Sequence, residues 1–208
     1  MSREPSRAEI RRRQRQALII AAAEDQLGEA GIAGTTLEKV GERVGLSRGA
    51  LYYYVESRED LLALVLDDVL REIRADADAR AEGDADPLHR LECFARAHVH
   101  TAVERAAGQL VVANVDLLAA HERSAELLHQ HEMVARDHIQ TAVDQGQLPN
   151  LNLVVASTVF FGALNTLCRT YNPKGELTLD QMIDATLDLT LRGWVTLVRT
   201  TSALGARQ

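Results

Sequence analysis

Aromatic side chains are scarce: three Phe, four Tyr and one Trp make up 4% of the 208 residues. With so few rings, and with Ala and Leu abundant, the composition favours helices over sheets. No segment alternates like a series of β-strands. Cysteine is scarcer still. Two residues, Cys93 and Cys168, make no disulfide framework and suit a reducing cytoplasm. No apolar run approaches the ~20 residues of a transmembrane helix, and no apolar segment follows the early arginines as in a signal peptide. A cytoplasmic protein with no membrane association is therefore expected. A Gly-rich phosphate loop, G-x-S-x-G and H-E-x-x-H are all missing, which argues against an enzyme and against a bound cofactor.

What is present is a chain with 46% apolar residues, enough for a core, and a net charge of −7. The charge is unevenly placed. Residues 1–60 hold ten basic and ten acidic side chains, so the remainder carries the whole −7. Within the first fifteen residues are six Arg and two Glu. Pro5 and Ser6 discourage a helix at the start of this arm, which reads as disordered before Arg11, Arg12, Arg13 and Arg15 lead into a first helix. Arginines in such an arm either neutralise DNA phosphates or form a solvated charge run.

Thr35 to Leu62 reads as two short helices joined by a glycine turn, a helix-turn-helix, the device that sets one helix in the DNA major groove. Thr35 and Glu38 have capping-box spacing, and Leu37, Val40 and Val44 recur on one helical face. Gly45 stands where the chain must turn with positive φ, Leu46 can plug the corner, and Ser47 is a good N-cap for a second helix from about Arg48 to Tyr54. Ala50, Leu51 and Val55 can pack inward. Tyr52, Tyr53 and Tyr54 cannot all do so, because consecutive helical positions are about 100° apart; Tyr52 is expected to be partly a packing residue. Arg48 and Arg58 offer forks for guanine or phosphate, while Thr36 and Ser47 mark helix N-termini that favour a phosphate. The expected DNA-binding set is Thr36, Ser47, Arg48, Gly49, Tyr52, Tyr53, Tyr54 and Arg58.

These residues carry a resemblance. Gly45-Leu46-Ser47, Arg48-Gly49, Leu51-Tyr52 and Arg58-Glu59-Asp60-Leu61-Leu62 resemble the DNA-binding domain of the TetR family of bacterial transcriptional regulators, over roughly residues 15–65. The sequence departs from that pattern at Leu27, Gly41, Tyr54 and Val55, where the family commonly has Phe, Ala, His and Phe. The resemblance implies an all-α chain, with a three-helix DNA-binding domain over residues 1–57 and a larger helical domain over 58–208.

The rest reads as helices from about Arg58 to Ala81, Pro87 to Ala106, Gly108 to His121, Ser124 to Gln145, Asn150 to Tyr171, and Thr178 to Arg199, the last opened by a Thr178–Gln181 capping box. The fourth helix alone joins the DNA-binding part to the body, so coupling is expected to run through it. Residues 150–171 are apolar almost all round, with Ala156, Gly162 and Ala163 among bulky neighbours, and must be covered by something. The resemblance implies that the last two helices, about 150–199, form a homodimer interface. It also implies an effector pocket in the middle helices, with Phe94, His98, Asn114, Asp116, Phe160, Phe161, Asn165 and Arg169 as candidates. His129, His131 and His138 fall in one helix, but no Cys or carboxylate completes a metal set, and they read as surface residues. The expected function is a ligand-responsive regulator, most simply a repressor. It would bind a palindromic DNA operator as a dimer and leave it when a small apolar effector binds, an acyl-CoA thioester being one candidate. The alternatives are an activator, or a DNA-binding protein of the same fold without an effector, whose body would be filled.

Overall fold

The computed structural model describes residues 6–194, which form ten α-helices and one π-helical turn. The expected disordered start of the arm, residues 1–5, and the expected last turns up to Arg199 lie outside the described residues.

The first helix, α1 (Arg7–Gly34), begins earlier than the sequence suggests. Ser6 and Glu9 form a capping box: the Ser6 amide donates to the Glu9 carboxylate at 2.6 Å, and the Glu9 amide donates to Ser6 Oγ at 3.2 Å. The cap draws Arg11, Arg12, Arg13 and Arg15 into regular helix rather than leaving them on a loose lead-in. The helix bends at Gly31, and Thr35, expected as the next cap, is buried with its hydroxyl on the Gly31 carbonyl at 2.9 Å. The cap of α2 (Leu37–Arg43) is instead Thr36, which accepts from the Lys39 amide. Gly45 has φ 64°, which only glycine adopts cheaply, and the Leu46 amide closes the turn onto the Gly41 carbonyl at 2.9 Å.

Ser47 caps α3 (Arg48–Tyr52) as expected, accepting from the Ala50 amide at 3.3 Å. This helix stops two residues short of the expected end. The Tyr54 and Val55 amides both donate to the Leu51 carbonyl, at 2.8 and 3.2 Å, and this turn swings Val55 into the core. Ser57 caps α4 (Arg58–Arg80) by accepting from the Asp60 amide at 3.0 Å. Asp60 takes the serine hydroxyl instead of the Ser57 amide, so only half of the expected capping box forms.

The body holds α5 (Pro87–Glu104), α6 (Ala106–Ala113), α7 (Val115–Ala119), α8 (Glu122–Asp144), α9 (Leu153–Thr170) and α10 (Leu179–Leu187), which passes into a π-helical turn over Asp188–Arg192. One helix was expected where α6 and α7 stand. The break falls at Asn114, whose side-chain amide donates to the Leu110 carbonyl at 2.8 Å. The Thr178–Gln181 capping box of α10 is formed as expected.

A single core runs the length of the molecule, with α4 at its centre against α5 and α8 and with α1 packed on both α4 and α6. Gly108 lies where α6 crosses α5: a Cβ there would stand 2.3 Å from the Thr101 carbonyl oxygen, so only glycine permits the crossing. Among the described helices, α9 has the length and apolarity of a membrane span, with 18 residues of mean hydropathy 1.4. It packs against α5, α8 and α10 through Ala156, Phe160, Leu164 and Leu167, so this face belongs to the core of the body.

Gly28 sits on the exposed side of α1 with nothing near its missing Cβ. Gly28→Ala is expected to stabilise the fold by about 0.5–1 kcal/mol, raising the melting temperature by about 1–4 °C. Calorimetry showing an unchanged or lower melting temperature would contradict the helical geometry at this position.

Candidate nucleic-acid interface and ligand cavity

The α2–α3 unit exposes most of the expected DNA-binding residues. Thr36 and Ser47 are exposed caps of the two helices, and Gly49 is open on α3. Arg48 lies over the Tyr52 ring, 5.5 Å from its centroid, and donates to the Tyr52 hydroxyl at 3.3 Å. This pairing holds the guanidinium against a flat platform. Tyr53 is 72% exposed. The tyrosine that packs inward is Tyr54, not Tyr52: it rests on the core and meets Tyr53 edge-on at 5.1 Å, while Tyr52 stays exposed. Arg58 is only half exposed and lies 3.7 Å from the Glu59 carboxylate, so it is less free than Arg48.

In the body, α4 to α9 line a half-open cavity of about 200 Å3. Val69, Leu70, Ile73, Val111, Leu128 and Phe161 supply apolar wall, and His98, His131, Glu132, Ser157 and Asn165 supply the polar part. Of the residues expected here, His98, Phe161 and Asn165 line it. Phe94 lies behind, packed on His131 with ring centroids 4.8 Å apart. Phe160 is fully buried in the core beside Phe161. Asn114 is taken up by the α6–α7 break, and Asp116 is exposed. Arg169 lines a separate outer cleft with Cys168 and Tyr171 and donates to Thr166.

The polar groups are linked. Asn165 Oδ1 is 3.1 Å from His98 Nε2, and His98 Nδ1 is 3.2 Å from His131 Nε2. Ser157 donates to Glu132 at 2.7 Å, and Arg136 donates to both, at 3.0 and 2.7 Å. Burial pushes His98 down to about 4 and His131 well below the usual range, the neighbouring His98 adding to the effect. His131 is thus no surface residue: it is 4% exposed. Among the described residues no three His, Cys, Asp or Glu side chains converge as a metal site.

Residues 84–194 match the model of the tetracyclin repressor-like C-terminal domain, and residues 19–65 that of the bacterial regulatory proteins of the tetR family. The chain belongs to the TetR family. It is 38% identical to a probable HTH-type transcriptional regulator, ArpR, of Pseudomonas putida over 78 residues, which are 38% of this chain and 36% of that protein. The matched segment thus spans about a third of that relative. Two solved structures are similar in fold. FadR of Bacillus halodurans, a fatty acid degradation regulator, has a TM-score of 0.72 at 18% identity, covering 85% of this chain and 94% of that one. AibR in complex with isovaleryl coenzyme A and operator DNA has a TM-score of 0.68 at 18% identity, covering 84% and 97%.

In this TetR chain α4 is not the sole link between the two parts. Helix α6 packs on α1, and Arg105, at the start of α6, is ion-paired with Glu24 of α1 and with Asp68 and Glu72 of α4, the last two at 2.7 and 2.5 Å. Sequence reasoning missed Arg105, His131, Glu132 and Ser157. The contacts that join them across helices, Arg105 to Glu24, His131 to His98 and Glu132 to Ser157, span 25 to 81 residues, so no local spacing marks them.

Both cavity histidines have lowered folded-state values, so the unfolded chain binds more protons below its own value near ~6.5. Stability is therefore expected to be full above that pH and to fall as pH drops toward about 4. His131→Leu should flatten this fall in denaturant titrations at pH 7.5 and 5. An equal slope in both proteins would mean that His131 does not drive it.

Proposed function

We propose that the chain is a ligand-responsive repressor that binds a palindromic operator as a homodimer and leaves it when a small, largely apolar molecule enters the body cavity. The cavity itself carries this reading, because an effector-independent DNA-binding protein has no use for a hole of about 200 Å3. The TetR family consists of regulators, and the chain is read as one, not as an enzyme. The functional division falls at the start of α4, with residues 1–57 reading DNA and 58–208 binding effector and partner. Ser47, Arg48, Gly49, Tyr52 and Tyr53 meet the DNA, with Thr36 and the arginines early in α1 on phosphates.

A second copy explains the outer face of α9. Val154, Val155 and Val159 are 47–59% exposed, Gly162 is open beside them, and Leu189 is 83% exposed. Such a stripe stays in water only at a cost, and two reading helices must sit about 34 Å apart to span one DNA turn. Signal transfer follows the contacts already described. Val111, Val112 and Gly108 of α6 line the cavity, while Arg105 of the same helix holds α1 and α4. The alternative effector is an acyl-CoA thioester, as held by AibR, with its acyl part in the cavity and its carrier in the outer cleft beside Arg169.

The test is binding of the purified chain to DNA flanking its own coding region, titrated with salt. A salt-sensitive complex with two chains per site is expected. Arg48→Ala should weaken specific binding by about 1–3 kcal/mol, and normal binding by that variant would show that α3 does not read the site through Arg48. Gly162→Glu should yield monomers by ultracentrifugation; an unchanged dimer would remove α9 from the interface.

A further inference from the structure

The polar part of the cavity wall is a hydrogen-bonded line that stops short. It runs from Asn165 through His98 to His131, and His131 Nδ1, at its end, is buried without a hydrogen-bond partner. With Asn165 Oδ1 accepting from His98, His98 Nδ1 is bare and accepts from His131, which leaves His131 Nδ1 a bare acceptor. With the Asn165 amide turned over, each role reverses and His131 Nδ1 carries a proton to give. Either way one polar atom is held buried and unpaired, which native structures rarely tolerate without a purpose.

The wall carries no unmatched charge. Burial keeps both histidines neutral. The Glu132 carboxylate is matched by Arg136 and Ser157. An ion entering here would shed its water for a surface with no counter-ion. Size guides the part of the ligand held inside. An apolar cavity of about 150 Å3 holds benzene, so about 200 Å3 holds roughly eight to ten heavy atoms.

We infer that the effector is an uncharged, mainly apolar small molecule of roughly eight to ten heavy atoms, carrying one hydroxyl or amide group that completes the Asn165–His98–His131 line. This rests on the cavity being the effector site. It sets aside free carboxylates and amines of the same size, and it places a CoA carrier outside the recognised group.

The experiment is calorimetric titration of the full chain with five probes: benzyl alcohol, its apolar match ethylbenzene, benzoate, benzylamine and isovaleryl-CoA. Benzyl alcohol is expected to bind about three- to tenfold more tightly than ethylbenzene, the margin of one hydrogen bond, and at least tenfold more tightly than either ion. His131→Leu should abolish the alcohol's margin while ethylbenzene still binds. Should that variant fail to fold, Asn165→Leu cuts the line at its other end and is expected to have the same effect. Equal or tighter binding of benzoate, benzylamine or isovaleryl-CoA overturns the inference, as does a margin that survives both variants, or no binding of any probe. Operator release is measured separately. If benzyl alcohol binds as expected yet leaves the DNA complex intact, the cavity's ligand class stands and its role as the effector site falls.

Discussion

The apolar stripe of α4, from Leu61 to Ala77, is buried along its whole length, and the two halves of the protein are built around it. Its first turns, with Leu61 and Leu62, share a core with Leu51 and Val55 of the DNA-binding part. Its later turns, with Val69, Leu70 and Ile73, form one wall of the cavity. Each such side chain contributes about 1.5–3 kcal/mol when fully buried, so α4 cannot detach from either side without a large loss. Whatever shifts the cavity wall therefore meets a stiff rod with its far end in the DNA-binding core.

Helix α6 shares that constraint from the opposite side. Gly108 lets it cross α5 at a distance no other residue would allow. The close crossing brings Val111 and Val112 to the cavity and sets Arg105 among Glu24, Asp68 and Glu72. A partly buried guanidinium with three carboxylates has many donors to distribute and little water to compete. The pairings are directional, so a small rotation of α6 changes them together.

Much of the DNA-binding part was legible because its rules are local. Ser47 caps the helix that follows it, Gly45 turns with positive φ, and Leu51 and Val55 point inward, each set by neighbours within a few residues. The misreadings there are also local. Two adjacent threonines compete for one cap, and the bend at Gly31 decides that Thr35 goes inside and Thr36 takes the cap. The Leu51 carbonyl accepts two amides, which ends α3 early and turns Tyr54 rather than Tyr52 toward the core. The cavity was legible only in outline. His98 and Asn165 stood out as polar residues on apolar helices and Phe161 as apolar wall, but the spacing of His131 within α8 said nothing of His98 on α5.

By itself the sequence determined an all-helical chain, the positions of its helices to within a few residues, the helix-turn-helix and the TetR resemblance, because caps, turns and apolar periodicity act over one or two turns of chain. Only the tertiary structure decided which polar residues face a cavity, that His131 is buried and left with one unpaired nitrogen, and that Arg105 ties α6 to α1 and α4. Those outcomes depend on how helices far apart in sequence pack together, and packing is set by the summed shape of many side chains rather than by any short pattern.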